Sequence, residues 1–190
     1  MTGPRAAALI GGVSLLERAI SYTLGSLLEV RPELMSRPTP CSAWDLRALL
    51  VHMNDSLLAL HEAARIGRIG PEQSTTDGDL VGLLRQRACL LVGAWSGARV
   101  PGPVFVAGSP LTTGIVTGAG ALEVTVHGWD VARACGQDRP IPAALAEELL
   151  ELAPFFVDDV DRPARFAPRV AVCRGATTGD RLLAFVGRRP

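Results

Sequence analysis

Apolar side chains recur with the period of an α-helix in four long stretches of the sequence. Apolar residues three or four positions apart are typical of amphipathic helices that bury one face. The pattern predicts helices at about residues 12–30, 42–66, 79–95 and 112–135. Strand-like runs do not alternate with these helices, which argues against a parallel sheet. The sequence therefore predicts an all-α protein built as an antiparallel four-helix bundle.

Residues that favour turns and caps mark the ends of these helices. Arg31-Pro32 ends the first helix, since proline cannot continue it. Ser42 and Asp45 have the spacing of a capping box, with aspartate in place of the usual glutamate, and predict the start of the second helix. Gly67 then predicts the end of that helix.

Further elements are predicted around the four long helices. They are a short extended piece at 104–106, a fifth helix at about 142–157, an extended tail segment at 166–172 and a last helix at 180–186. Without repeats or low-complexity tracts, residues 1–190 are expected to form a single domain. Its bundle core would cover about residues 12–136, with the fifth helix and tail at about 141–190.

The fourth helix is unusual in its glycine content. Glycine occupies positions 114, 118, 120 and 128, and each lowers the intrinsic helix propensity by up to about 1 kcal/mol relative to alanine. Tertiary packing must therefore hold this helix.

Charge and composition narrow the possible partners. The 19 basic residues balance the 19 acidic ones, which argues against nucleic acid or an anionic membrane as the main partner. All the basic residues are arginines, so Schiff-base and phosphate-loop lysine chemistry are excluded. The four cysteines are scattered, without a Cys-x-x-Cys pair or a disulfide framework. We expect a cytoplasmic protein without a membrane-spanning segment.

The fourth helix carries a stripe of ionisable residues in an otherwise apolar segment. At about 100° per residue, the stripe spans only about 60° around the helix and consists of Glu123, His127 and Asp130. Glu123 and His127, one turn apart, can bind the same divalent ion. His52, at the margin of the apolar face of the second helix, is a candidate third ligand. Two imidazoles and one carboxylate with an open position are typical of catalytic zinc or iron sites.

A simpler interpretation of the same residues stays open. A Glu-x-x-x-His pair on a helix is usually a solvated contact between neighbouring turns. A single histidine such as His52 is often a hydrogen-bonded core residue. Spacing alone does not decide between these alternatives and a metal site.

Three separated motifs resemble one known superfamily. Residues 38–52, PTPCSAWDLRALLVH, are similar to the signature that opens the second helix in actinobacterial DinB-like proteins. Residues 123–136, EVTVHGWDVARACG, resemble the second signature of that superfamily. Residues 180–190, DRLLAFVGRRP, resemble the tail of small metal-binding proteins related to the N-terminal domain of mycothiol-dependent maleylpyruvate isomerase. The likeness extends from about Leu15 to the end of the chain.

The resemblance implies a DinB-like four-helix bundle that holds a divalent metal. By position in the motifs, the ligands would be His52, Glu123 and His127. Zinc is the expected metal, with nickel or iron as alternatives. Superfamily members include isomerases and S-transferases that use mycothiol or bacillithiol, so the resemblance implies a metal-dependent enzyme that acts on a small organic molecule with mycothiol as co-substrate.

Two departures from the superfamily pattern bear on the substrate. Many members have histidine where Glu123 stands, although the isomerase also has an acid there. We also expect the chain to be without the larger C-terminal domain of the isomerase, so maleylpyruvate itself is not the expected substrate. The alternative function is a metal-free bundle that binds a small molecule, or acts as a cyclase or isomerase, in a biosynthetic pathway. The sequence leaves open whether the chain forms a homodimer.

Asp130 is the candidate catalytic residue. It could act as a general base, or it could orient a ligand imidazole through a hydrogen bond to that ring. The alternative is a packing role, with the carboxylate bonded to Arg133 or to a backbone amide.

Each of the other candidates also has a structural interpretation. Trp44 and Trp129 could wall a pocket, although tryptophan in a bundle is usually core. Arg85 and Arg87 could bind a carboxylate, or they could simply be solvated. Cys41 is expected to be a small buried apolar residue and not a nucleophile, because no histidine is near it in the sequence.

Overall fold

The protein is mainly helical. The structure, a computed structural model, describes residues 12–41, 44–70, 78–97, 102–162 and 165–190. The α-helices in this part are α1 Gly12–Ser26, α2 Leu46–Ile66, α3 Leu80–Gly97, α4 Thr113–Ala134, α5 Ala143–Leu152 and α6 Thr178–Phe185. Short 3-10 turns lie at Leu27–Glu29, Pro32–Leu34, Ala153–Phe155 and Asp159–Asp161. The predicted all-α class is confirmed.

A small sheet lies beside the helices. Its strands are β1 Arg68–Ile69, β2 Val104–Val106 and β3 Ser109–Leu111. β2 pairs antiparallel with β3 and parallel with β1. The extended piece expected at 104–106 is therefore confirmed as β2, whereas β1 is too short to leave a periodic pattern in the sequence. The segment expected to be extended at 166–172 forms no strand in the described part of the chain.

The four long helices pack in a ring. α1 contacts α4, α4 contacts α2, α2 contacts α3, and α3 contacts α1. Along the α1–α4 contact, Gly12 lies beside Thr117 and Gly128 lies beside Thr23. Residue numbers rise together on both sides of this contact, so α1 and α4 run in the same direction.

The other helix directions follow from the contacts of α2. Leu60 lies beside Gly120, and His52 reaches Glu123, so α2 and α4 are antiparallel. β1 follows α2 and β2 follows α3, and the two strands pair directly. α2 and α3 therefore end on the same side of the bundle and run parallel. The antiparallel contact between α2 and α4 is the one that positions the site described below.

Packing compensates for the glycines of α4, as expected. α1, α2 and α5 all contact this helix, and its residues 124–132 are buried throughout. Thr23 Oγ1 donates a hydrogen bond to Val124 O at 2.8 Å. A Cβ atom at Gly128 would lie only 3.1 Å from Thr23 Cα, so glycine is what lets α1 approach this closely.

The start of α2 differs from the prediction. Asp45 is itself the N-cap, and its Oδ1 accepts a hydrogen bond from Ala48 N at 2.8 Å. Ser42, the expected N-cap, lies outside the described residues. Trp44 therefore stands just before the helix, and His52 lies in its second turn.

The last two helices pack together beside the bundle. α5 contacts α1, α4 and α6. α6 begins two residues earlier than predicted, where Thr177 and Asp180 form a capping box. In the part of the chain that the structure describes, no helix combines the length and the apolar character needed to cross a membrane.

Candidate metal centre

Two imidazoles and a carboxylate meet between α2 and α4. His52 Nε2 lies 2.5 Å from Glu123 Oε1, and His127 Nε2 lies 3.3 Å from the same oxygen. One donor atom from each side chain lies within 4.8 Å of the other two. The structure thus brings the three predicted ligands around a common point.

The backbone geometry explains this convergence. Glu123 and His127 are one turn apart on α4, so both side chains leave the same helix face. α2 crosses that face in the antiparallel direction and presents His52 from its second turn. His127 is buried, while the His52 and Glu123 side chains are 33% and 34% exposed. The site therefore lies at the edge of the core and remains open to solvent on the His52 side.

The electrostatics of the site keep Glu123 ionised. Burial tends to raise the pKa of Glu123, but the charge of His127 and the hydrogen bonds to His127 and His52 hold this pKa well below its usual range. Ser56 Oγ also donates a hydrogen bond to Glu123 Oε1 at 3.2 Å. An ionised carboxylate supported in this way is a suitable metal ligand.

His127 is held by carboxylates on both sides of its ring. Burial tends to lower the pKa of His127. The charge of Glu123, the hydrogen bonds to Asp130 and Glu123, and the charge of Asp130 outweigh this effect and raise the pKa to about 9. His127 Nδ1 lies 3.0 Å from Asp130 Oδ2, on the side of the ring facing away from Glu123. This contact directs Nε2 toward the other two ligands.

Asp130 lies behind His127, where it forms an ion pair that the sequence did not predict. Its side chain is fully buried, and Arg188 donates to both of its oxygens, with Nη2 at 2.9 Å from Oδ2 and Nε at 3.0 Å from Oδ1. The prediction that Arg133 bonds to Asp130 is wrong. The Arg133 side chain is half exposed, and its Nη1 atom lies 4.0 Å from Oδ1 of Asp138 instead. Nothing in helical spacing links Arg188 to Asp130, since the two residues are 58 positions apart.

Aromatic contacts wall one side of the site. The Trp44 ring lies against His52, with centroids 4.4 Å apart, and 5.8 Å from the ring of His127. Trp129 is a buried core residue with Arg133 over its ring. Of the two tryptophans, Trp44 is therefore the one that borders the site.

Two openings flank the ligands. A narrow apolar cavity beneath Glu123 and His127 has room for about one water molecule. Its other lining residues are Ile20, Thr23, Leu24, Leu27, Met53, Ser56, Leu57, Leu84, Ala88 and Val124. An open groove of about 550 Å³ runs along the outer face of α2 and reaches His52 and Trp44. The site therefore meets solvent through the groove and the core through the cavity.

The remaining candidates lie away from this centre or stay without an assigned role. Arg85 donates to Leu27 O at 3.3 Å, and Arg87 donates to Asn54 O at 2.8 Å, so both guanidinium groups contact backbone carbonyls. Cys41 is half-buried. None of these observations adds a ligand to the site.

The chemistry of the donor set fits a divalent metal. Two imidazole nitrogens and a carboxylate oxygen are the ligands that zinc and neighbouring transition metals accept, and three protein ligands leave a position open. Asp130, behind His127, is the kind of carboxylate partner that orients a ligating imidazole. His52, Glu123 and His127 could therefore hold one ion together.

Comparison with known proteins places the chain among related sequences. The family model described as mycothiol maleylpyruvate isomerase N-terminal domain matches residues 16–132. Two uncharacterized proteins of Mycobacterium tuberculosis, from strains CDC 1551 / Oshkosh and ATCC 25618 / H37Rv, are each 28% identical over 194 residues, covering 90% of this chain and 94% of each relative. No solved structure matches. The matched residues include all three candidate ligands.

Proposed function

Because the chain belongs to the mycothiol maleylpyruvate isomerase N-terminal domain family, we propose that it is a divalent-metal-dependent enzyme. It acts on a small organic molecule, as an isomerase or S-transferase, with mycothiol as the co-substrate. The observation that carries this proposal is the convergence of His52, Glu123 and His127, whose donor atoms lie within 4.8 Å of one another. Zinc is the first candidate for the ion, with nickel or iron as alternatives.

The charges of the site favour an anionic partner such as a thiolate. Asp130 and Arg188 cancel each other, so a divalent ion held by Glu123 and two neutral imidazoles leaves one net positive charge. When bound, the ion would lower the pKa of a thiol or a water molecule at the open position. One such anion brings the net charge of the site to zero.

Asp130 contributes by holding a proton on His127, and it does not contact the substrate. It is fully buried and separated from the open groove by the ring of His127. Its Oδ2 accepts a hydrogen bond from His127 Nδ1, which stabilises the proton on that nitrogen and leaves Nε2 free to bind the ion.

The two openings suggest how reactants are arranged. The groove beside His52 and Trp44 is open to solvent and is also lined by Asp45, Arg47 and Asp55, a polar surface that suits a hydrophilic thiol. The cavity beneath Glu123 and His127 is lined mainly by aliphatic side chains, and His127 is the one basic residue among its described lining residues. We infer that the part of the substrate nearest the cavity is small and apolar, which argues against a dicarboxylate such as maleylpyruvate.

Metal content and thiol transfer test the proposal together. Protein purified without added metal is expected to hold about one zinc, nickel or iron ion per chain by elemental analysis. It should also consume mycothiol in the presence of a small electrophile. His127→Ala and Glu123→Gln should lose both properties, because each removes a donor. His61→Ala is the matched control, since His61 lies on α2 outside the site.

Two results would contradict the enzyme proposal. One is wild-type protein that contains no metal and takes up none on dialysis. The other is thiol transfer that is equal in wild type and His127→Ala. A metal-free protein would favour the alternative function, a bundle that binds or rearranges a small molecule without a metal.

A further inference from the structure

The buried ion pair between Asp130 and Arg188 lies directly behind the candidate metal ligands. Asp130 is 0% exposed and Arg188 is 7% exposed. A carboxylate without water must be compensated by a cation or by hydrogen bonds. Arg188 supplies both, because Nη2 and Nε donate to the two carboxylate oxygens at 2.9 and 3.0 Å.

The ion pair is connected to the candidate metal site through a single atom, Oδ2 of Asp130. Asp130 Oδ2 accepts from Arg188 Nη2 and also lies 3.0 Å from His127 Nδ1. Two parallel hydrogen bonds from a planar guanidinium fix the plane of the carboxylate. The carboxylate in turn fixes the ring of His127 and the direction of its Nε2 atom.

The end of α6 is built to aim Arg188 inward. Gly187 has a φ of +84°, the left-handed conformation that glycine adopts readily. Arg188 N donates to Leu183 O at 2.8 Å, and Gly187 N donates to Ala184 O at 3.2 Å. These two bonds form a Schellman motif, which turns the chain sharply at the end of the helix. The turn directs the arginine side chain into the bundle.

We propose that Arg188 is a positioning residue for the metal site. Its guanidinium fixes the orientation of the Asp130 carboxylate. The carboxylate in turn holds the ring of His127 with Nε2 facing His52 and Glu123. The inference rests on the proposed function, because it concerns the same site. Without the guanidinium, the buried carboxylate loses its compensating charge and can rotate away from the imidazole.

Zinc affinity measures this role without any need for the substrate. Metal-stripped Arg188→Gln is expected to bind zinc about 10–100-fold more weakly than wild type, as is usual when a partner of a ligating histidine is lost. Competition with a chromophoric chelator gives the affinity. Arg189→Gln is the matched control, because Arg189 is the exposed neighbouring arginine, and it should bind zinc like wild type.

Two further readouts separate positioning from general stability. In zinc-loaded wild type, the hydrogen-bonded Nδ1 proton of His127 should give a low-field, slowly exchanging NMR signal, and Arg188→Gln should lose it. If Arg188 acts through Asp130, the double variant Asp130→Asn/Arg188→Gln should bind zinc no more weakly than Asp130→Asn alone. A simple loss of packing would instead weaken binding in both backgrounds.

The outcomes distinguish this inference from the proposed function. Wild type that binds neither zinc nor nickel nor iron overturns both. Zinc affinity that is equal in wild type and folded Arg188→Gln overturns only the role of Arg188. The same holds if Arg188→Gln weakens zinc binding as much in the Asp130→Asn background as in wild type.

Should Arg188→Gln not fold, Arg188→Lys replaces it, because lysine keeps the charge but not the planar pair of hydrogen bonds. It should bind zinc several-fold more weakly, and affinity equal to wild type refutes the inference.

Discussion

Replacing Gly128 with alanine tests whether the close contact between α1 and α4 supports the site. The added Cβ would lie 3.0 Å from Thr23 Cβ and 3.1 Å from Thr23 Cα. A backbone atom cannot turn aside as a side chain can, so the two helices must separate locally. The hydrogen bond from Thr23 Oγ1 to Val124 O is then displaced as well.

The expected loss of stability follows from three contributions. Overpacking in a dense contact costs about 1–3 kcal/mol, and disrupting a buried hydrogen bond costs about 1 kcal/mol. The higher helix propensity of alanine returns about 1 kcal/mol. Gly128→Ala should therefore lower the free energy of unfolding by about 1–3 kcal/mol. Because position 128 follows His127, zinc affinity should fall as well.

Urea denaturation followed by circular dichroism measures this change. Gly93→Ala is the matched control, because Gly93 is an exposed glycine of α3 with no atom within 4 Å of an added Cβ. It should raise the free energy of unfolding by about 0.5–1 kcal/mol through helix propensity alone. If Gly128→Ala stabilised the protein as much as the control does, the close α1–α4 contact would be refuted.

Titration and fluorescence provide two further predictions about the metal-free protein and its response to zinc. The pKa of His127 lies at about 9 when folded, against a usual value of 6.5, so its contribution to stability is complete below pH 6.5 and is lost as pH rises through 9. Unfolding measured with EDTA present should show a loss of up to about 3 kcal/mol over that window, and His127→Asn should remove most of it. Zinc should also change the fluorescence of Trp44, whose ring lies 4.4 Å from that of His52; a change of equal size in Trp44→Phe would contradict this arrangement.

The helices and the three ligands could be predicted from local patterns. Helical periodicity located α2 and α4, and the stripe of Glu123, His127 and Asp130 was visible because ionisable residues are rare in such an apolar segment. Two helices that share a core must face one another, which made His52 a reasonable third member. The antiparallel arrangement predicted for the bundle describes α2 and α4, but α1 and α4 run in the same direction. Helix direction depends on how the connections cross the bundle, which periodicity does not reveal.

The missed features depend on contacts between distant parts of the chain. Arg188 and Asp130 are 58 positions apart, and the periodicity of a short tail helix does not reveal what its last side chains meet. The N-cap was misplaced because both Ser42 and Asp45 are good capping residues, and the local sequence does not rank them. β1 has only two residues and depends on β2 for its hydrogen bonds.

The parallel contact between α1 and α4 has a consequence for the folding rate. The bond from Thr23 to Val124 joins residues 101 positions apart, so neither helix can complete its core face until a long intervening loop has closed. Folding slows as contacts become less local, and this protein should fold more slowly than a bundle in which successive helices simply alternate. The two histidine ligands, on α2 and α4, are also far apart in the sequence, so zinc would stabilise the folded bundle and would not start its assembly.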